Sequence, residues 1–431
     1  MSRGGAIRGL FVMAVVALAA VPASAAADEF VPTRFDDPAP NGCKPADCSL
    51  REAIKAANNH GGADRVSLSS GTYRMEIPGT SGASIEDGDF NILGDLTIRG
   101  RGVDGPDKTT VNGKGLDRVF TAVGDAKFLR LQIRGGDASA DPAHTSFGGG
   151  LAAFGDKVVL KNVFLTRNAA TYGGGIWSVA TDLRVLKSTV YYNQSTEGAG
   201  LDLDSSTTQP VTTVRASSIV SNPASQKGGG ILVDGFNSGG NNADPFLIVE
   251  NSTIVNNVAV TGGGPDTYQG GGIMADNGAV VGIEQTTIVD NRAGDAYSTG
   301  IGGGLYQHSG AVINPGDSIL VGNGVGTGVG TGVKSDVAGA QCAGTVSGSG
   351  GNLVQLPAAT TCPMSGGYTE TSFAAAKLGT LDDYGGPTET IPLLAGSTAI
   401  GLANSCPPKD QRGVPRPVQD CDSGAYENTD P

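Results

Sequence analysis

The feature that most restricts how this chain can fold is an internal repeat of two short blocks. The segment Gly148-Gly-Gly-Leu151 returns as Gly173 to Ile176, Gly198-Ala-Gly-Leu201, Gly228 to Ile231, Gly270 to Ile273 and Gly302 to Leu305. After each comes a second block that ends in asparagine: Asn162 to Asn168, Ser188 to Asn193, Ser217 to Asn222, Ser252 to Asn257, Thr286 to Asn291 and Asp317 to Asn323. A period of about 25 to 35 residues is that of a solenoid unit. β-Branched residues in alternating polarity make the second block a strand, and Gly-Gly-Gly before Ile or Leu is the entry to another. Helical repeats would need runs of helix formers that glycine at this density interrupts. The expectation is an all-β chain, a right-handed parallel β-helix of about ten to thirteen coils.

Stacking such units puts each Ile or Val on its counterpart about 4.8 Å away, in columns down the axis. Glycine is 69 of 431 residues and aromatics are 5 %, so the core is thin and aliphatic. Asn168, Asn193, Asn222, Asn257, Asn291 and Asn323 are read as structural corner residues. Asparagine tolerates the left-handed backbone of a tight corner, and stacked side-chain amides bond along a ladder. Recurrence in every unit argues against a ligand-binding row.

The chain ends carry different signals. Arg3 and Arg8, the apolar run Leu10 to Val21 and the small residues Ala23-x-Ala25 form a signal peptide over 1–25, too short to span a bilayer. The mature chain is expected outside the cell, secreted or at its surface, with no membrane-spanning segment. Cys43, Cys48, Cys342, Cys362, Cys406 and Cys421 are an even set, read as structural disulfides. Of the fifteen pairings that six cysteines allow, the sequential one is favoured, because each neighbouring pair closes a short loop near a chain end. The expected domains are an N-terminal cap over 26–60, repeats over 61–340, and last coils with a disulfide-bearing cap over 341–431. Within the first, Ser49-Leu-Arg-Glu52 is a capping box, with Leu50, Ile54 and Ala57 on one face of a helix running to about Asn58.

Three resemblances rest on these segments. The paired blocks are similar to the GGA(I/L/V) and FxxN repeats of chlamydial polymorphic outer-membrane proteins, with Gly where that family has Ala. Cys48-Ser-Leu-Arg-Glu-Ala-Ile54 followed by Ala56-Ala-Asn58 resembles the CSLREA module of bacterial secreted proteins. Leu378 to Asp382, Gly385-Gly-Pro-Thr388, Leu394 to Ile400, Asp410 to Gly413 and Asp422 to Glu427 resemble the choice-of-anchor Q module. These resemblances imply surface association on a pectin-lyase-like solenoid.

Charge and motifs bound the chemistry. With 29 Lys and Arg against 42 Asp and Glu, net −13, and no basic stripe, nucleic acid is not an expected partner. His60, His144 and His308 are scattered and C-x-x-C is absent, so no metal site or cofactor is assigned. Asp36-Asp37 and Asp382-Asp383 are read as solvated turns. Asp141-Pro-Ala-His144 resembles the Asp-Pro-His motif of alginate epimerases, with an inserted Ala that displaces the histidine. Asp87-Gly-Asp89-Phe-Asn91 has calcium-like spacing but Ile98 at the twelfth position, which excludes an EF-hand. Asp202 and Asp204 look like an ordinary outward-facing strand. No catalytic residue is assigned. The reading is a monomeric, non-catalytic protein that binds or adheres to polysaccharide or cell-surface components, using the inserts Phe236 to Asp244 and Thr261 to Gln269 and the single tryptophan, Trp177, which is expected to pack beneath an insert. The alternatives are a polysaccharide lyase, hydrolase or epimerase, and a purely structural surface component. Carboxylates grouped on one exposed face would favour the enzyme.

Overall fold

The computed structural model describes residues 27–79, 84–139, 146–205, 209–235, 245–260, 268–327, 332–355 and 357–429. The segment 1–25 expected to be a signal peptide, Asp141 to His144, the insert Phe236 to Asp244 and residues 261–267 of the second insert lie outside them. The chain forms a right-handed parallel β-helix. One face is a nine-stranded sheet in strict chain order from Phe90–Ile92 to Cys342–Ala343. A longer sheet bends into two rows. In the first, eleven successive parallel pairings join twelve strands, from Glu29–Phe30 to Met364–Thr371. The second row includes Ser218–Val220, Thr253–Val255 and Thr287–Val289. A short sheet of pieces such as Pro223–Lys227 and Val258–Ala259 completes each coil.

The core is the set of columns that the repeat predicts. Leu151, Ile176, Leu201, Ile231, Ile273 and Leu305 stand in register and are fully buried. Leu165, Val190, Ile219, Ile254, Ile288 and Leu320 do the same across the second row. The helix Leu50–Asn58 closes the first coil, with both bonds of the Ser49/Glu52 capping box made and Leu50, Ile54 and Ala57 in the core. The disulfides are sequential: Cys43 to Cys48, Cys342 to Cys362 and Cys406 to Cys421.

The corners divide labour differently from the expectation. The left-handed residue is the one before each asparagine: Arg167, Tyr192, Ser221, Asn256, Asp290 and Gly322. The asparagine turns its side chain inward, and its backbone N–H donates, like its Nδ2, to the side chain of the next coil. Nδ2 of Asn168, Asn193, Asn222, Asn257 and Asn291 donates to Oδ1 of the next asparagine at 2.9 to 3.1 Å. Asn323 ends the ladder on Gln341 Oε1 at 3.0 Å. Each buried amide also meets a core carbonyl, as Asn257 does Ile219 O at 2.8 Å. A parallel ladder opens the second block, where the backbone N–H groups of Ser188 and Ser217 donate to the Oγ of Ser217 and Ser252. At the third corner the first glycine of each block is left-handed, from Gly148 to Gly302. A Cβ on Gly149 would lie 2.3 Å from Ala169 O.

Residues 377–429 lie along the flank of the stack. Ile391, Leu393 and Ala399 pack on Val220, Val255, Val289 and Ile319. Gln411 Nε2 donates to Ser218 Oγ at 2.9 Å, and Asp317 accepts from the N–H groups of Asn404 and Ser405. The outer face of the second row is thereby covered over several coils. Among the described residues no helix is long and apolar enough to cross a membrane.

Candidate functional site

On seven strands of the nine-stranded sheet the first outward residue packs beside the left-handed glycine that precedes it; the two strands before them carry Thr121 and Asn91 in the same column. In register the seven are Ala152, Trp177, Asp202, Leu232, Met274, Tyr306 and Ala343, all buried. Of these seven, six are apolar or aromatic and Asp202 alone is ionisable. It is 1 % exposed, and its Oδ1 has no hydrogen-bond partner. Burial, and after it the charges of Asp204, Glu197 and Asp234, push its carboxyl well above the usual carboxylate range.

Two residues further along, the outward positions read Val179, Asp204, Asp234 and Asp276 in register. Parallel neighbours stand about 4.8 Å apart, so three carboxylates form a row across adjacent coils. Each has its own partner. Trp177 Nε1 donates to Asp204 Oδ2 at 2.7 Å, Asn277 Nδ2 to Asp234 Oδ1 at 2.7 Å, and His308 Nδ1 lies 2.8 Å from Asp276 Oδ1. Burial pushes the Asp204 carboxyl up to about 6; the Trp177 hydrogen bond opposes this, and the charges of Asp234 and Glu197 add to it. Asp202, Asp204 and Asp234 line a hollow of about 210 Å³ together with Glu197, Phe147 and Tyr172. Lys227, 3.6 Å from Glu197, is the cation beside it. The arrangement presents raised carboxyls beside Phe147 and Tyr172, and carboxyls whose surroundings hold their proton affinities apart can divide acid and base roles.

No family model matches the sequence, and no curated protein does. Among solved structures, pectate lyase Pel9A is similar in fold, with a TM-score of 0.49 and 14 % identity, over 93 % of this chain and 96 % of that one.

The residues singled out from the sequence fall apart except in this cleft. Trp177 is stacked on Phe147 at 4.4 Å and edge-on to Phe154 at 5.2 Å, so its ring is packed and its N–H orients Asp204. Asp37 is not a solvated turn: it takes Arg51 in a buried two-point pair at 2.8 and 2.7 Å. Asp383 is exposed at a turn. Asp89 is buried and accepts from Asn91 and Thr121. His60 lies by Asp64, far along the chain from His308. Among the described residues no three of His, Cys, Asp or Glu are grouped to hold a metal ion.

The carboxylate row was present in the sequence as a second periodicity. The sixth residue after the opening glycine is Asp204, Asp234, Asp276 and His308 in four successive copies. Read within one unit, Asp202 and Asp204 look like any polar strand face; aligned between units, they become a row.

Proposed function

We propose that this chain is a polysaccharide-active protein of the cell exterior that holds a neutral glycan in the Asp202 cleft and hydrolyses it. The observation that carries the reading is the grouping of Asp202, Asp204 and Asp234 around one hollow, one of them buried without a partner for Oδ1. A buried carboxyl with one oxygen left without a partner is costly to keep, and such groups concentrate at functional sites. A cleft so rich in carboxylates repels an anionic sugar, which favours a neutral one. The leader, the three disulfides and the CSLREA and choice-of-anchor Q resemblances support placement outside the cell.

Asp204 and Asp234 stand at a strand spacing of about 4.8 Å, near the separation of about 5 Å used by a retaining pair. Asp204 gives its proton to the leaving glycosidic oxygen while a carboxylate oxygen of Asp234, oriented by Asn277, bonds to the anomeric carbon. Water then attacks that carbon, Asp204 takes the proton from the water, and Asp234 is released. Asp202 acts through Asp204 as a positioning residue.

Incubating the chain after Ala25 with neutral and acidic polysaccharides and following each polymer by size-exclusion chromatography tests this. Shortening of a neutral polymer is expected, falling by about 10²- to 10⁴-fold in Asp204→Asn. Loss of the Asp204 proton predicts a decline in rate as pH rises above about 6. Non-catalytic binding is the second reading, favoured by Phe147 and Tyr172, whose rings 5.1 Å apart offer a stacking surface. Co-elution of intact polymer would support it, and no change with any polymer would leave a structural surface role.

A further inference from the structure

A second concave site lies on a different sheet, against the first row of the long one. Its hollow of about 460 Å³ is lined by Arg65, Arg99, Arg101 and Arg130, with Ser67 and Ser69. Arg65 and Arg99 project from the adjacent strands Asp64–Ser67 and Leu96–Arg99. Gly100 brings Arg99 and Arg101 against the corner that bears Arg130, since a Cβ there would lie 2.4 Å from Arg130 O. Several arginines elsewhere among the described residues are paired, Arg34 with Asp36 and Asp47, Arg51 with Asp37, Arg215 with Glu250 and Arg416 with Glu427. Among the described residues none of the four guanidinium groups in the hollow has a carboxylate partner. Of the two acids at its edge, Glu29 accepts from the Ser67 hydroxyl, and Asp107 sits in an exposed turn. A chain of net −13 thus gathers four exposed, unpaired guanidinium groups around one concavity.

We propose that this groove binds an anionic polysaccharide, the forks of Arg65, Arg99, Arg101 and Arg130 taking its acidic groups two oxygens at a time. The planar fork matches carboxylate or sulfate, and the two serine hydroxyls suit sugar hydroxyls. Duplex nucleic acid fits less well: it carries one charge per about 1.7 Å, and it would lie along a molecule of its own sign beyond the groove. Among the described residues no aromatic ring lines the hollow for base stacking. The acidic cleft turns the same polymer away, so the two sites take different chains and could join them. This binding does not depend on the hydrolytic reading.

Titration of the mature chain with a fluorescent polyuronate, dextran sulfate, neutral dextran and duplex DNA, read by anisotropy, tests the groove. The polyuronate or the dextran sulfate is expected to bind, and comparison of the two separates carboxylate from sulfate recognition. Binding should weaken between about 50 and about 200 mM salt and fall at least about tenfold in the double variant Arg99→Gln/Arg130→Gln. The variant should keep the wild-type circular dichroism and thermal midpoint. Equal binding by variant and wild type, tighter binding of DNA than of either polyanion, equal binding of neutral dextran, or no polyanion binding at low salt would each overturn the proposal. Cleavage of a neutral glycan by the same variant is expected to be unchanged, so failure of the groove and failure of the cleft are separable.

Discussion

Asp202 occupies a position that the repeat otherwise fills with Ala, Trp, Leu, Met or Tyr. A structural column would lose nothing by having Leu there and would avoid desolvating a carboxyl. Asp202→Leu is therefore expected to raise stability by about 1 to 3 kcal/mol in urea denaturation while lowering hydrolysis. The isosteric Asp202→Asn exposes the pH linkage. The folded state holds the Asp202 proton above the unfolded value of about 3.9, so wild-type stability declines as pH rises from there toward the raised folded value, and below both values the penalty is absent. The stability gain of Asp202→Asn should be largest at neutral pH and vanish near pH ~4; a gain equal at both pH values would contradict the assignment.

Among elements, the corners show how few residue types a coil needs. A left-handed residue turns the chain, and the following asparagine ties the turn to the coils on either side. Only the second task demands one side chain, which explains why Asn recurs while the residue before it varies from Arg to Gly. The flanking segment 377–429 obeys no such period, and Arg416 holds much of it. Its guanidinium is buried, reaching Glu427 at 2.7 Å and the carbonyls of Asp422 and Gly424 at 2.9 and 2.7 Å. Arg416→Ala strands Glu427 and is expected to cost about 3 to 5 kcal/mol locally. Hydrogen exchange should quicken across 377–429, with the amides of Asn193, Asn222 and Asn257 still protected. Uniform loss of protection would show instead that flank and solenoid unfold as one.

For the whole molecule, each coil contacts chiefly its neighbours, so stability is distributed along the stack. Ile219, at the centre of a buried column, should cost about 2 to 5 kcal/mol when cut to Ala, measured by urea unfolding. The period of the glycine and asparagine blocks determined the parallel β-helix, its aliphatic columns and the asparagine ladder, because a repeat that must bury itself against its own copy has one economical stacking. The capping helix was equally legible, since Ser49 and Glu52 act on neighbours in the chain. What the tertiary structure decided was which side chains share a surface. Arg65, Arg99, Arg101 and Arg130 are separated by as much as two coils of sequence yet converge on one hollow. Asp37 looks like a turn residue until Arg51 is laid across it. The row of Asp204, Asp234 and Asp276 was written in the sequence as a period, but the burial of Asp202 and the hollow these side chains share with Phe147 and Tyr172 are settled by packing. For the flank, the Cys406–Cys421 pair was legible but its seat along the second row was not, because Gln411 meets Ser218 through a contact 193 residues apart that no local pattern records. Periodic self-contact is written in the sequence as a period, whereas contact between unlike segments depends on the path of the chain between them.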